Sequence, residues 1–104
     1  MKFEYDPAKS RANLAKHGID FIEAQKLWQG VMVVFPSRQT GERRELAVGM
    51  LEGVFWTAVV TPRGAGGIRL ISVRRSRKEE IDAYHQAMER KDDENEQKKP
   101  DGEI

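Results

Sequence analysis

Residues 42–61, ERRELAVGMLEGVFWTAVVT, decide the fold. In Glu42–Leu51 the apolar Leu46, Val48 and Met50 alternate with smaller or polar neighbours, the signature of a half-buried strand. Glu52-Gly53 is a two-residue turn signal, so the next run pairs with it as a hairpin. Val54–Thr61 is nearly all apolar and reads as a central strand buried on both faces. Downstream, Pro62–Gly67 (PRGAGG) is a loop and Ile68–Val73 a last strand. Upstream, Val31–Phe35 is apolar and β-branched, and Pro36–Gly41 is a turn. Short connections between these strands predict an antiparallel meander.

Helices flank the meander. Phe3 and Tyr5 alternate with Lys2 and Glu4 as a short first strand. Asp6 then serves as N-cap and Pro7 as first helical residue of a helix over Ala8–Lys16, which His17-Gly18 ends. Asp20 and Glu23 form a capping-box pair for a second helix, with Phe21, Ala24, Leu27 and Trp28 on one face and Gly30 closing it. Ser76 and Glu79 form another such pair, opening a third helix that runs to Met88 or Lys91. Residues 92–104 are charged and lack apolar residues before Ile104, so residues 1–91 make one domain and the remainder a disordered tail. The order β-α-α-β-β-β-β-α is an α+β fold, one antiparallel sheet packed against helices. Phe21, Trp28, Phe35, Phe55 and Trp56 are assigned to its core, Trp56 alternatively to a partner interface.

Composition narrows the chemistry. Of 104 residues, 38% are hydrophobic and 34% charged, the profile of a small soluble domain. The absence of cysteine excludes disulfides, thiol nucleophiles and Cys-ligated metals, and two histidines cannot build a His-rich metal site. No nucleotide-binding glycine pattern is present, so no cofactor is expected. Without a secretory h-region or a membrane-length apolar run, the expected location is cytoplasmic.

Charge points to a partner. Residues 1–90 hold 15 Lys/Arg against 11 Asp/Glu, whereas residues 91–104 hold 3 against 6. From Arg63 to Lys78 there are six basic residues and no acid. Such a field attracts a polyanion, RNA foremost, or alternatively an acidic protein. No helix-turn-helix is legible, which disfavours direct DNA binding.

Two segments resemble the BrnT family of toxins. The first is Tyr5-Asp6-x-x-Lys9-x-x-x-Asn13-x-x-Lys16-His17-Gly18-Ile19-x-Phe21-x-x-Ala24. The second is Arg69-Leu70-Ile71-Ser72-Val73-Arg74-Arg75-Ser76, followed by Glu79 and Tyr84. Gly41-Glu42-Arg43, Gly49 and Thr61 lie between them, and the resemblance covers about residues 3–85. Tyr5 stands where the family usually has Trp, and the acidic tail lies outside the pattern. The resemblance implies a RelE-like fold and a ribonuclease that arrests translation. It also implies a cognate BrnA-like antitoxin that binds the toxin in a hetero-oligomer and binds operator DNA itself. The alternative is a non-catalytic RNA-binding or co-repressor subunit.

A ribonuclease without metal must deprotonate the 2′-hydroxyl, protonate the 5′ leaving oxygen and stabilise the charged phosphorane. Arg69 and Arg74 are the candidate phosphate grips, because a guanidinium can hold two phosphate oxygens. On an unbroken strand their five-residue spacing would send them to opposite faces, so convergence requires the strand to end or bulge near Ser72. Their structural alternative is an exposed ion pair with Glu42 or Glu45. His17 can act as acid or base, or can simply finish its helix. Glu42 is a candidate base. Lys9 and Lys16 share a helix face with Asn13 and can track an RNA backbone, or form an ordinary wet surface. Arg43, Arg63, Arg75 and Tyr84 complete the expected RNA-binding set, Tyr84 by orienting phosphate or stacking a base. His85 is assigned to solvent or an interface.

Overall fold

The computed structural model describes residues 1–37 and 41–97. Its elements are β1 (Phe3–Glu4), α1 (Pro7–His17), α2 (Phe21–Ala24), β2 (Val33–Pro36), β3 (Glu45–Leu51), β4 (Val54–Pro62), β5 (Ile68–Arg75) and α3 (Lys78–Gln97). This is the expected α+β order. A 3₁₀ turn over Gln25–Gln29 continues α2, so the second helix tightens after one turn. The five strands form one sheet in the order β1-β5-β4-β3-β2, with β1 parallel to β5 and every other pair antiparallel.

Local chemistry sets the boundaries. The Asp6 carboxylate accepts from the Ala8 amide, Pro7 fills the first turn, and Gly18 adopts a left-handed φ of 84° that lets its amide bond the Leu14 carbonyl. The Asp20 carboxylate accepts from the Glu23 amide. Glu52 and Gly53 both have positive φ (51° and 80°), the requirement of a two-residue hairpin turn that matches strand twist. Helix α3 continues to Gln97, beyond the expected end at Lys91. Its charged residues are good helix formers, and Pro100 is the first breaker. The remaining tail, 98–104, and residues 38–40 of the expected turn lie outside the described residues.

The sheet has two unlike faces. Directly opposed residues share a face, so the register sorts them. Ala47, Ala58, Val60, Leu70 and Val73 point to the face covered by α1 and α2, where they meet Ile19, Phe21, Ala24 and Leu27 in the core. Phe3 and Tyr5 stack edge-on against Trp28 and Phe21 at 5.2 and 5.8 Å. Gly49 leaves room on this face for Met32, whose thioether a Cβ would overlap. The other face carries Leu46, Val48, Phe55, Thr57, Val59, Thr61, Arg69, Ser72 and Arg74. Phe35 and Phe55, expected in the core, belong here instead: Phe35 opposes Leu46, and Phe55 packs against Tyr84 of α3 at 5.1 Å.

Helix α1 buries polar residues. Ser10 and Asn13 are buried while Leu14 is half exposed. The Ser10 hydroxyl accepts from the Phe21 amide (2.9 Å), capping α2. The Asn13 amide accepts from the Val73 N–H (3.1 Å) and donates to the Val73 and Ile19 carbonyls (2.8 and 2.7 Å). Strand β1 pairs only with Ile68 and Arg69, so Asn13 supplies the bonds that a longer edge strand would give Val73.

Candidate active site

A one-residue irregularity in β5 arranges the site. Val59 opposes Ser72 and Val60 opposes Leu70, which leaves Ile71 as an extra residue. The bulge reverses the alternation between Leu70 and Ser72. Arg69, opposite Thr61, and Arg74, opposite Thr57, therefore project from the same face of the sheet.

Beside Arg74 lies an open cleft of about 820 Å³. Leu46 and Val59 contribute its apolar floor, Ser72 and Arg74 one wall, Pro36 and Ser37 from the end of β2 another, and Arg77, Glu79 and Glu80 the start of α3. Arg74 and Glu80 form a two-bond fork: Nη1 donates to Oε1 at 2.9 Å and Nη2 to Oε2 at 2.8 Å. Glu80 Oε1 also accepts from the Thr57 hydroxyl (2.8 Å) and the Arg77 amide (2.9 Å). The Thr57 hydroxyl, having donated to Glu80, accepts from Ser76 at 2.7 Å. The reciprocal bond of the α3 capping box is thus made by Glu80 to Arg77, one residue on from the expected Ser76–Glu79 pair.

The fork is desolvated, its side chains being 19% and 9% exposed. Burial alone would raise the Glu80 carboxyl, but the donors from Arg74, Arg77 and Thr57 outweigh it and hold the group at about 2. The same fork pushes the Arg74 guanidinium up, against the opposing effect of burial. Glu80 is therefore a fixed anion at neutral pH and no proton carrier.

The remaining expected site residues are dispersed. Arg69 and Arg63 share the Glu4 carboxylate at 3.8 and 3.5 Å, at the β1 side of the same face. Arg75 lies on the opposite face, its guanidinium 5.7 Å from the centre of the Trp56 ring. Arg43 is exposed and pairs with Glu45 at 3.0 Å. Tyr84 is held between Phe55 and His85. Glu42 is exposed on the β2–β3 connection, two residues before Arg44, whose carbonyl bonds the amide of the cleft residue Ser37. His17 ends α1, and Lys9 and Lys16 stand exposed on the same helix; none of the three lines the cleft. The expected alternative of ion pairs to Glu42 or Glu45 is not what Arg69 and Arg74 make; their acids are Glu4 and Glu80.

The basic segment is accordingly less naked than its sequence. Glu4, Glu80 and Asp82 pair with Arg63, Arg69, Arg74 and Lys78. Glu80 carries no mark of a site residue in the sequence. The sequence puts the capping signal on Glu79, and nothing local ties Glu80 to Arg74. Among the described residues no three His, Asp or Glu side chains gather as a metal site. Among the described residues no helix is long and apolar enough to cross a membrane.

Residues 5–80 match the family model of BrnT, the ribonuclease toxin of type II toxin–antitoxin systems. The chain belongs to the BrnT family. A search among curated proteins finds no match. The crystal structure of the Brucella abortus ribonuclease toxin BrnT is similar to this chain, with 28% identity and a TM-score of 0.59 over 75% of this chain and 99% of that one. The BrnT match spans β3, β4 and β5 and ends at Glu80, so the bulged strand and the fork lie inside it.

Proposed function

We propose that this BrnT-family toxin is a metal-independent endoribonuclease that cuts RNA in the cleft beside α3 and thereby arrests translation. One observation carries the reading: Arg74 lines an open cleft with only part of its donor set committed. In the reaction the 2′-oxygen attacks the adjacent phosphorus and the bond to the 5′-oxygen breaks. The products are a 2′,3′-cyclic phosphate and a 5′-hydroxyl end. Arg74 grips the phosphorane oxygens as their charge grows. Arg69, with Arg63, holds the strand further along the same face. Glu79 is the exposed carboxylate in the cleft and takes the 2′-hydroxyl proton, and the departing 5′-oxygen takes a proton from water; Glu42 and His17 are the outlying alternatives for the acid and base roles. A cognate antitoxin occludes the toxin in a hetero-oligomer and brings it to operator DNA.

A second reading has its own support. The charged groups lining the cleft, Arg74 and Arg77 against Glu79 and Glu80, balance in sign. That suits a binding subunit without catalysis. The purified chain incubated with single-stranded RNA in EDTA separates the two. The toxin reading expects cleavage with cyclic-phosphate ends, and growth arrest on expression without the antitoxin. Both effects should vanish in Arg69→Ala/Arg74→Ala. RNA retention without cleavage would establish the binding subunit instead.

A further inference from the structure

We infer that Glu80 is a positioning residue for RNA cleavage, fixing the Arg74 guanidinium so that its Nε–Nη2 edge faces the substrate phosphate. The inference rests on the proposed role of Arg74 as phosphate grip.

The donor inventory supports it. A guanidinium has five N–H groups in one plane. The Glu80 fork takes one from Nη1 and one from Nη2, and the second Nη1 hydrogen turns back to the Arg75 carbonyl at 3.3 Å. The Nε–H and the outer Nη2–H remain, side by side, with no protein partner among the described residues. Two parallel donors on one edge match two phosphate oxygens. Glu80 is immobilised in turn by Thr57 from β4 and by the Arg77 amide at the start of α3. The guanidinium plane is thus set by a carboxylate tied to two elements, and an arginine has little rotational freedom left to lose when phosphate arrives. Thr57 and Glu80 are 0% and 8% exposed, so the support is dry and the contacts are undiluted by water.

The test is single-turnover cleavage of a short single-stranded RNA in EDTA, with methylguanidinium as a chemical probe. Glu80→Gln should slow cleavage roughly 10- to 100-fold while thermal unfolding stays cooperative, because misplacement of a catalytic group costs that much. Glu80→Asp, which keeps the charge on a shorter stem, should fall between. In Arg74→Ala, millimolar methylguanidinium should restore part of the rate, since Glu80 can seat the free cation. In Arg74→Ala/Glu80→Gln it should restore none. Should Arg74→Ala fail to fold, Arg74→Lys replaces it, and adding Glu80→Gln to that variant should cost no further rate. A wild-type rate for folded Glu80→Gln overturns the inference, as does equal rescue of the single and double variants or multiplicative losses in the lysine background. A wild-type rate for Arg74→Ala would instead remove the phosphate-grip role itself, and the inference with it.

Discussion

The side-chain amide of Asn13 serves both backbone groups of Val73, accepting from its N–H at 3.1 Å and donating to its carbonyl at 2.8 Å. Sixty residues separate the two in the chain. This contact turns α1 into the missing continuation of a two-residue strand.

Asn13→Ala should therefore be a stability mutation rather than a binding one. It strands buried backbone groups of Val73 and Ile19, for a cost of about 2–4 kcal/mol. For a domain of this size that lowers Tm by roughly 10–20 °C. Thermal unfolding measures the loss, and hydrogen exchange at the Val73 amide locates it. Asn13→Asp should be worse, because it sets a carboxylate against two carbonyl oxygens.

Acid should unlatch α3. Glu80 is held at about 2 in the folded chain, against 4.5 for the free side chain. A depressed carboxyl stabilises the fold above its unfolded value, and that contribution fades as pH falls towards its folded value. The difference amounts to about 3 kcal/mol at neutral pH. Unfolding free energy should decline between pH 5 and pH 2 in the wild type. Glu80→Gln should start lower and show less of this decline, so that the two curves approach each other near pH 2.

Glu4→Gln should strengthen RNA binding. The substitution frees Arg63 and Arg69 from their shared carboxylate without touching the cleft. Affinity for single-stranded RNA should rise, and its fall with added salt should steepen as two more cations engage phosphates. Fluorescence anisotropy titrations at several salt concentrations decide this; unchanged affinity and slope would remove these arginines from the RNA path.

Gly49→Ala should destabilise by about 1–3 kcal/mol, because its methyl group overlaps the Met32 side chain packed on β3. Met32→Ala should recover part of that loss in the double variant, a coupling that chemical denaturation can measure.

What was legible in the sequence was what short-range chemistry controls. Asp6-Pro7 and Gly18 bracketed α1, and Glu52-Gly53 marked the hairpin. The alternation in β3 gave the sheet its sides. What escaped depended on partners distant along the chain. The run from Arg63 to Lys78 holds no acid, yet Glu4 and Glu80 reach it through the fold. Asn13 shares a helix face with Lys9 and Lys16 by spacing, but burial separates it from them. The only local trace of the Ile71 bulge is the adjacent apolar pair Leu70-Ile71, which interrupts the alternation of Arg69, Ser72 and Arg74 with Leu70 and Val73. The effect of the bulge is legible only as a condition on Arg69 and Arg74.

That inserted isoleucine makes parity a property to compare among relatives. Counting five positions between two arginines suggests opposed sides, and only the count corrected for the insertion gives the true geometry. Straightening the strand with every residue kept would put the two guanidinium sites back to back, whereas losing one residue between Arg69 and Ser72 would leave them four apart on a regular strand and on one side. Alignments that place a gap there should be weighted by which side of the sheet each arginine reaches, not by whether an arginine is present.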